Sequence, residues 1–368
     1  MTGSIGRLAL VAIAGLLGCL SGRLQAHQRD TGQMRLYFIA ADDVNWDYAP
    51  WGPNVTGSPT PEGGLEDESA RPQRRYLKAV YHEYTDGTFK QRKGRRSDQE
   101  YLGVLGPLIR AEVGDTVKVV FKNNTKIFCT LHPHGLEYDK ASEGALYDDG
   151  TSGNDKKDDA IPPGGTYTYL WTVPERAGPG PGDSSSVLWM YHSHFVESRE
   201  INTGLIGPII VTARGSAKPD GSPKDVDREF VTAFAVFDET ESWYFESNAG
   251  NRKYAPNLRF TDPAFRNLHL LYSINGFVDG NLPKLTMKKG ERVRWYLFAN
   301  GNEDDVHTPH WHGQTAMVEH MRTDMVHLEP MMMMVADMIP DNIGTWLFHC
   351  HVNEHIKGGM QGLFTVTP

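Results

Sequence analysis

The chain has 368 residues, enough for two domains of ordinary size, and carries 46 acidic against 37 basic side chains, a net charge of -9. That acidic balance argues against nucleic acid or an anionic membrane surface as a partner. Fifteen histidines and thirteen methionines, crowded toward the C-terminal half, suit a soft or borderline transition metal.

Residues 1–26 read as a secretory signal. Arg7 precedes an apolar run from Leu8 to Leu20, and "LQA" gives a cleavage site after Ala26. The run is too short to span a bilayer, so no integral membrane span is expected. The protein is therefore expected to be exported, either periplasmic or secreted. "LLGC", ending at Cys19, also offers lipoprotein anchoring as an alternative. Removing the signal leaves Cys129 and Cys350 as the remaining thiols, which rules out a disulfide scaffold.

After Met34, short segments alternate apolar and polar residues between Gly, Pro, Asn and Asp. In chain order they include "RLYFIAA", "DTVKVVF", "TYTYLWTV", "LIGPIIVT", "EFVTAFAVF", "ERVRWYLF" and "GLFTVT". Their content of Val, Tyr, Phe and Thr predicts antiparallel sheets in a sandwich or barrel, an all-β class. "PERAGPGPGDSSS" (Pro174 to Ser186) reads as a flexible loop and "ARGSAKPDGSPKDVDRE" (Ala213 to Glu229) as a linker.

The chain also repeats itself. "EVGDTVKVVFKNN" from Glu112 matches "KKGERVRWYLFAN" from Lys288, and "HPHG" from His132 matches "HWHG" from His310. "WMYHSH" from Trp189 matches "WLFHCH" from Trp346, and "GLIGPIIV" from Gly204 matches "GMQGLFTV" from Gly359. With the signal over 1–26 set aside, the repeat predicts two domains, 34–221 and 222–368, meeting near Ser222.

On a strand, neighbouring side chains face opposite ways, so His349 and His351 point away from Cys350. A cysteine thiolate, two histidines and a weak axial methionine define a type 1 electron-transfer copper. Cys350, His307, His355 and Met360 supply that set. Eight histidines remain in four His-X-His pairs, two pairs in each half, matching a trinuclear copper cluster at a domain interface.

These motifs, with "NWDYAP", "HPHGLEYDKASEGALYDD", "FDETESWYF" and "HCHVNEHIKGGM", resemble the two-domain multicopper oxidases of the ceruloplasmin-like branch, related to small laccases. The resemblance covers essentially everything after Met34 and implies two tandem cupredoxin-like Greek-key domains. It implies a type 2 copper on His132 and His310. The type 3 pair would take His134, His192, His194, His312, His349 and His351. Each chain would hold four coppers and oxidise a phenol, aromatic amine, Cu(I) or Fe(II) while reducing O2 to water. Six cupredoxin domains form a pseudo-threefold ring in larger relatives, so the resemblance also implies a homotrimer with clusters between chains. Tyr138 and Glu143 fall where small laccases place residues beside the cluster, and with Cys350 they are the candidate catalytic residues.

Aligning the halves sets Ser193 against Cys350, Ser198 against His355, Thr203 against Met360 and Cys129 against His307. The first half thus keeps cluster histidines but no type 1 ligand, and Cys129 reads as a small buried residue. Asn267 and Tyr272 stand where the branch's iron oxidisers carry an acid and a histidine; Glu354 keeps an acidic position. That departure weakens an iron-oxidase reading. Methionines in the Glu319–Met338 stretch read as alternate core packing, with a Cu(I)-receiving surface including His320 and His327 as the other reading. A nitrite reductase of two cupredoxin domains needs fewer paired histidines, and a copper carrier needs one site.

Overall fold

A computed structural model of the chain describes residues 32–57, 74–249, 259, 261–302 and 304–368. The signal and Cys19 lie outside them. Among the described residues no helix is long and apolar enough to cross a membrane.

The first half contributes β1 (Met34–Asp47), β2 (Arg75–Glu83), β3 (Ile109–Glu112), β4 (Thr116–Asn123), β5 (His132–Pro133), β6 (Thr166–Thr172), β7 (Ser186–His192) and β8 (Ile206–Thr212). They form two four-stranded sheets, β2-β1-β4-β6 and β3-β8-β7-β5. The second half contributes β9 (Arg228–Asp238), β10 (Leu270–Ile274), β11 (Leu285–Lys288), β12 (Val293–Ala299), β13 (Pro309–Trp311), β14 (Ala316–Val318), β15 (Met321–Thr323), β16 (Met333–Met338), β17 (Gly344–Cys350) and β18 (Gln361–Thr367). These form the sheets β10-β9-β12-β16-β14-β15 and β11-β18-β17-β13.

The repeat seen in the sequence is a repeat of topology. β1 runs parallel to β4 as β9 does to β12, and β3 parallel to β8 as β11 does to β18. Parallel neighbours between otherwise antiparallel strands are the mark of Greek-key crossing, and the fold is two tandem cupredoxin units. All seven strand segments read from the sequence are strands. β4 shows why: Val117, Val119 and Phe121 are fully buried while Thr116, Lys118 and Val120 alternate outward.

One hydrophobic core crosses the halves, joining Leu102, Leu188, Met190, Ile206 and Ile210 to Phe234, Trp295, Phe348 and Cys350. The same boundary carries a buried ion pair, Lys78 Nζ to Glu239 Oε1 at 2.5 Å. Neither segment read as loose hangs free. In the loop, Trp189 Nε1 donates to the Ala177 carbonyl at 2.7 Å and Ser184 Oγ to Asp337 at 2.6 Å. In the linker, Thr212 Oγ1 donates to the Gly221 carbonyl, and Arg110 grips Glu229 with two nitrogens at 3.0 and 2.9 Å. Gly and Pro announced the chain reversals; side-chain bonds to them leave no local signature.

Candidate metal centres

The second half builds two donor sets on opposite sides of one strand end. β13 pairs with β17 in the register Pro309↔Cys350 and His310↔His349. A short helix, α4 (Asn353–Lys357), turns the chain back so that His355 reaches Cys350; among the described residues three short helices precede it, α1 (Glu197–Thr203), α2 (Phe245–Ala249) and α3 (Pro263–Asn267). His307 Nδ1 and His355 Nδ1 lie 3.0 Å apart, and Cys350 Sγ lies 3.9 and 3.5 Å from them. All three are buried, as is Met360, whose carbonyl accepts from the Cys350 N–H.

Charge in this pocket favours a thiolate. Burial alone pushes the Cys350 thiol up, but hydrogen bonds from His307, His355 and the Thr308 and Val352 backbone overcome it and bring it to about 6. His307 is pushed down by burial and raised more by Asp305 and Cys350. Asp305, itself fully buried, sits 2.9 Å from His307 Nε2 and accepts from the Val236 N–H at 2.8 Å. It locks the ring so that Nδ1 faces the thiol, the carboxylate–histidine arrangement of many metal sites. Sequence reading missed Asp305; its signal was the acid two residues before His307 in "DDVHTPH".

Across the strand, His310, His312 and His349 bring ligand nitrogens within 4.8 Å of one another, and the His351 ring lies 5.4 Å from that of His349. The first half repeats this. β5 pairs with β7 in the register His132↔His192, and His132, His134 and His192 converge within the same limit. The His194 ring stands 5.1 Å from that of His132.

Backbone carbonyls orient both foursomes identically. His132 Nδ1 faces the Glu143 carbonyl at 2.7 Å and His310 Nδ1 that of Asp324 at 2.9 Å. His192 Nδ1 faces the Ser193 carbonyl and His349 Nδ1 that of Cys350, at 3.0 and 2.7 Å. With Nδ1 donating, Nε2 keeps its lone pair, and the pairs His134–His192 and His312–His349 bring Nε2 atoms to 3.0 and 3.1 Å. Burial first, then neighbouring histidines, holds His134 down at about 4; at His349 burial, opposed by the hydrogen bond to the Cys350 carbonyl, also gives about 4. Both rings are neutral near pH 7, the form a metal needs.

Among the described residues, every ring contact between these eight histidines stays within its own foursome. Each foursome also opens outward, His351 being exposed and His194 about one-third exposed. The Tyr138 ring lies 5.7 Å from that of His132. The Glu143 carboxylate is bonded to Lys140 at 2.6 Å and Tyr147 at 3.0 Å, so its carbonyl, not its side chain, holds His132.

The first-half position that matches Cys350 is occupied by a bonded serine. Thr130 N donates to Ser193 Oγ at 2.9 Å, as Thr308 N does to Cys350 Sγ at 3.4 Å. Ser193 Oγ then donates to Glu200 at 2.6 Å, and the same buried carboxylate accepts from the Phe195 and Val196 N–H groups. Sequence reading missed Glu200 too; an acid on a seven-residue helix gave no sign of pointing inward. Cys129 is fully buried, and burial pushes its thiol well up. Ser193→Ala is expected to keep metal content and colour while destabilising the fold by about 1–3 kcal/mol, because Glu200 and Thr130 lose a buried partner. Denaturant titration beside the visible spectrum checks both; loss of colour in a folded variant would make Ser193 a ligand.

Two family models, both described as multicopper oxidase, match residues 101–216 and 271–368. The chain belongs to the multicopper oxidase family, in its ceruloplasmin-like branch. Rat (Rattus norvegicus) hephaestin is 42% identical over 91% of this chain and 30% of its own length. Human (Homo sapiens) ceruloplasmin is 38% identical over 90% of this chain and 32% of its own, and human ferroxidase HEPHL1 39% over 99% and 31%. The chain thus spans about a third of the length of the curated relatives it matches. Among solved structures, a multicopper oxidase superposes with a TM-score of 0.58 at 20% identity, covering 91% of this chain and 89% of its own. A blue copper oxidase from Nitrosomonas europaea gives 0.57 at 18%, covering 91% and 86%. Family membership implies copper, and a soft thiolate with neutral imidazoles fits that metal.

Proposed function

We propose that the chain is a laccase-like multicopper oxidase. Cys350, His307, His355 and Met360 hold a type 1 copper; His132 and His310 hold a type 2 copper; and His134, His192, His194, His312, His349 and His351 hold a type 3 pair. Bound copper supplies one-electron oxidation of a reductant at the first site and four-electron reduction of O2 to two waters at the cluster. The observation carrying this reading is that one strand end places a buried Cys–His–His set back to back with a solvent-open histidine foursome. His349 and His351, peptide neighbours of Cys350, join the two through a few covalent bonds.

Each foursome is half a cluster, and we infer that the halves meet between chains in a homotrimer. Exposed Leu146, whose N–H donates to the His194 carbonyl, and exposed Phe128, stacked on Phe195, lie beside the first-half foursome, and exposed Met325, bridged to His310, beside the second. Exposed apolar groups beside incomplete polar sites favour a partner. The two surfaces differ, so the contact is head-to-tail, which closes into a ring or runs on as a filament, and the pseudo-threefold ring implied by the resemblance supports closure at three chains. We place the two domains at 34–221 and 222–368, and read export from 1–26.

At the type 1 site, the Tyr272 ring lies 5.2 Å from that of His355, tilted by 39°. Glu354 is held by Lys357 at 3.0 Å. A flat aromatic wall beside His355 supports a phenol or aromatic amine as reductant. Oxygen uptake by the copper-loaded protein, offered a methoxyphenol, Cu(I) and Fe(II) in parallel, tests this. The highest kcat/KM is expected with the methoxyphenol. Uptake with Fe(II) alone would overturn the substrate assignment, and no uptake with any donor the oxidase.

A further inference from the structure

The two foursomes are unlike, because the first has a carboxylate on its ligand side. Glu197, the first residue of α1, turns Oε2 to 3.4 Å from His194 Nε2 and Oε1 to 3.9 Å from His192 Nε2. Matching the halves sets Glu197 against Glu354, which is 75% exposed and held by Lys357 at 3.0 Å. Asp324 stands 3.9 Å from His310, but at Nδ1, the nitrogen already turned to the Asp324 carbonyl.

Packing accounts for where Glu197 points. Buried Glu200 accepts from the N–H groups of Phe195 and Val196 at 2.8 and 2.9 Å, drawing in the link between His194 and α1. The helix therefore starts against the foursome. Hydrogen bonding does not account for the two contacts. Bonds from an imidazolium to a carboxylate run about 2.7–2.9 Å, and both distances are longer. At His192 the Nδ1 proton is spent on the Ser193 carbonyl, so Nε2 offers a lone pair to an oxygen that also offers one. Two such atoms repel unless a cation lies between them. The spacing suits one: donors bound at ~2.0–2.1 Å stand roughly 3.3 Å apart in a tetrahedron and about 4.1 Å across a square.

We propose that Glu197 is a copper ligand, a fifth donor that lets the first-half foursome hold Cu(II) before the partner half arrives. The inference rests on the copper reading of the foursomes. Imidazole nitrogens with a carboxylate oxygen suit Cu(II), and the carboxylate offsets part of the ion's charge. The second foursome lacks such an oxygen on its ligand side and loads afterwards. His194 and Glu197, 34% and 40% exposed, leave the first site open for the ion to enter from solvent.

The test uses the full chain carrying Cys350→Ser and His310→Ala, each removing one donor from another set, so that the first-half site is the strongest left. Titrating the metal-free protein with Cu(II) against a competing chelator is expected to show one tight ion per chain. Glu197→Gln keeps the shape and loses the charge; it should weaken that ion at least roughly tenfold, whereas Glu354→Gln should leave it unchanged. A carboxylate that only oriented His194 would cost a similar factor, so a label decides between the two roles. With glutamate enriched in carboxyl 13C, pulsed paramagnetic resonance should detect a directly bound carboxyl carbon that disappears in Glu197→Gln. Unchanged thermal unfolding shows that the variant is folded. Unchanged affinity in Glu197→Gln overturns the proposal, as does tight copper without the 13C coupling before any change at Glu197. Absence of a tight ion overturns it too, and copper held by the native chain would then show that the copper reading survives. Neither readout needs O2: a native chain without oxygen uptake would fail the oxidase and leave this ligand standing.

Discussion

Cys350→Ser is expected to abolish the blue colour and bring donor oxidation to background, while three of four coppers stay bound. A serine hydroxyl near neutral pH is neutral and hard, and it cannot replace a thiolate brought to about 6 by His307, His355 and two backbone N–H groups. The fold should tolerate the change, because Ser193 occupies the equivalent position in the first half and takes the equivalent bond from Thr130. The foursomes do not depend on the thiol: His349 is oriented by the Cys350 carbonyl, which serine also provides. Metal analysis with paramagnetic resonance checks this. The type 1 signal should vanish and a type 2 signal should remain. Loss of all copper from a folded variant would mean that the centres assemble together, and a surviving blue band would remove Cys350 as a ligand.

Much of this architecture was legible in the chain because cupredoxin strands alternate and repeat. β4 and β12 announced themselves by pattern, and matching "HPHG" to "HWHG" and "WMYHSH" to "WLFHCH" marked the segments that the structure pairs as His132↔His192 and His310↔His349. Alternation also separated Cys350 from His349 and His351. What escaped was the support around the ligands. Asp305 acts by burial beside His307, and Glu200 acts by pointing inward from α1 to Ser193. Both are long-range packing facts that spacing does not encode. The sequence marked Glu143 as an acid beside the cluster, whereas the bond it makes to His132 comes from its backbone. Asn267, at the end of α3, gained no role from the structure.

The central claim is that each chain carries two unlike half-clusters completed by its neighbours. Mixing two inactive variants, His132→Ala and His310→Ala, tests it most directly. Each removes one imidazole from one foursome and leaves the other foursome intact, as the separate ring contacts require. In co-assembled rings, about one interface in four should join an intact first half to an intact second half. The mixture is therefore expected to recover roughly a quarter of native oxygen uptake, while each variant alone stays near background. Sedimentation of the copper-loaded protein should give a trimer, and removing the metal should weaken it. An active monomer, or no recovery in rings shown to contain both variants, would mean that each chain closes its own cluster.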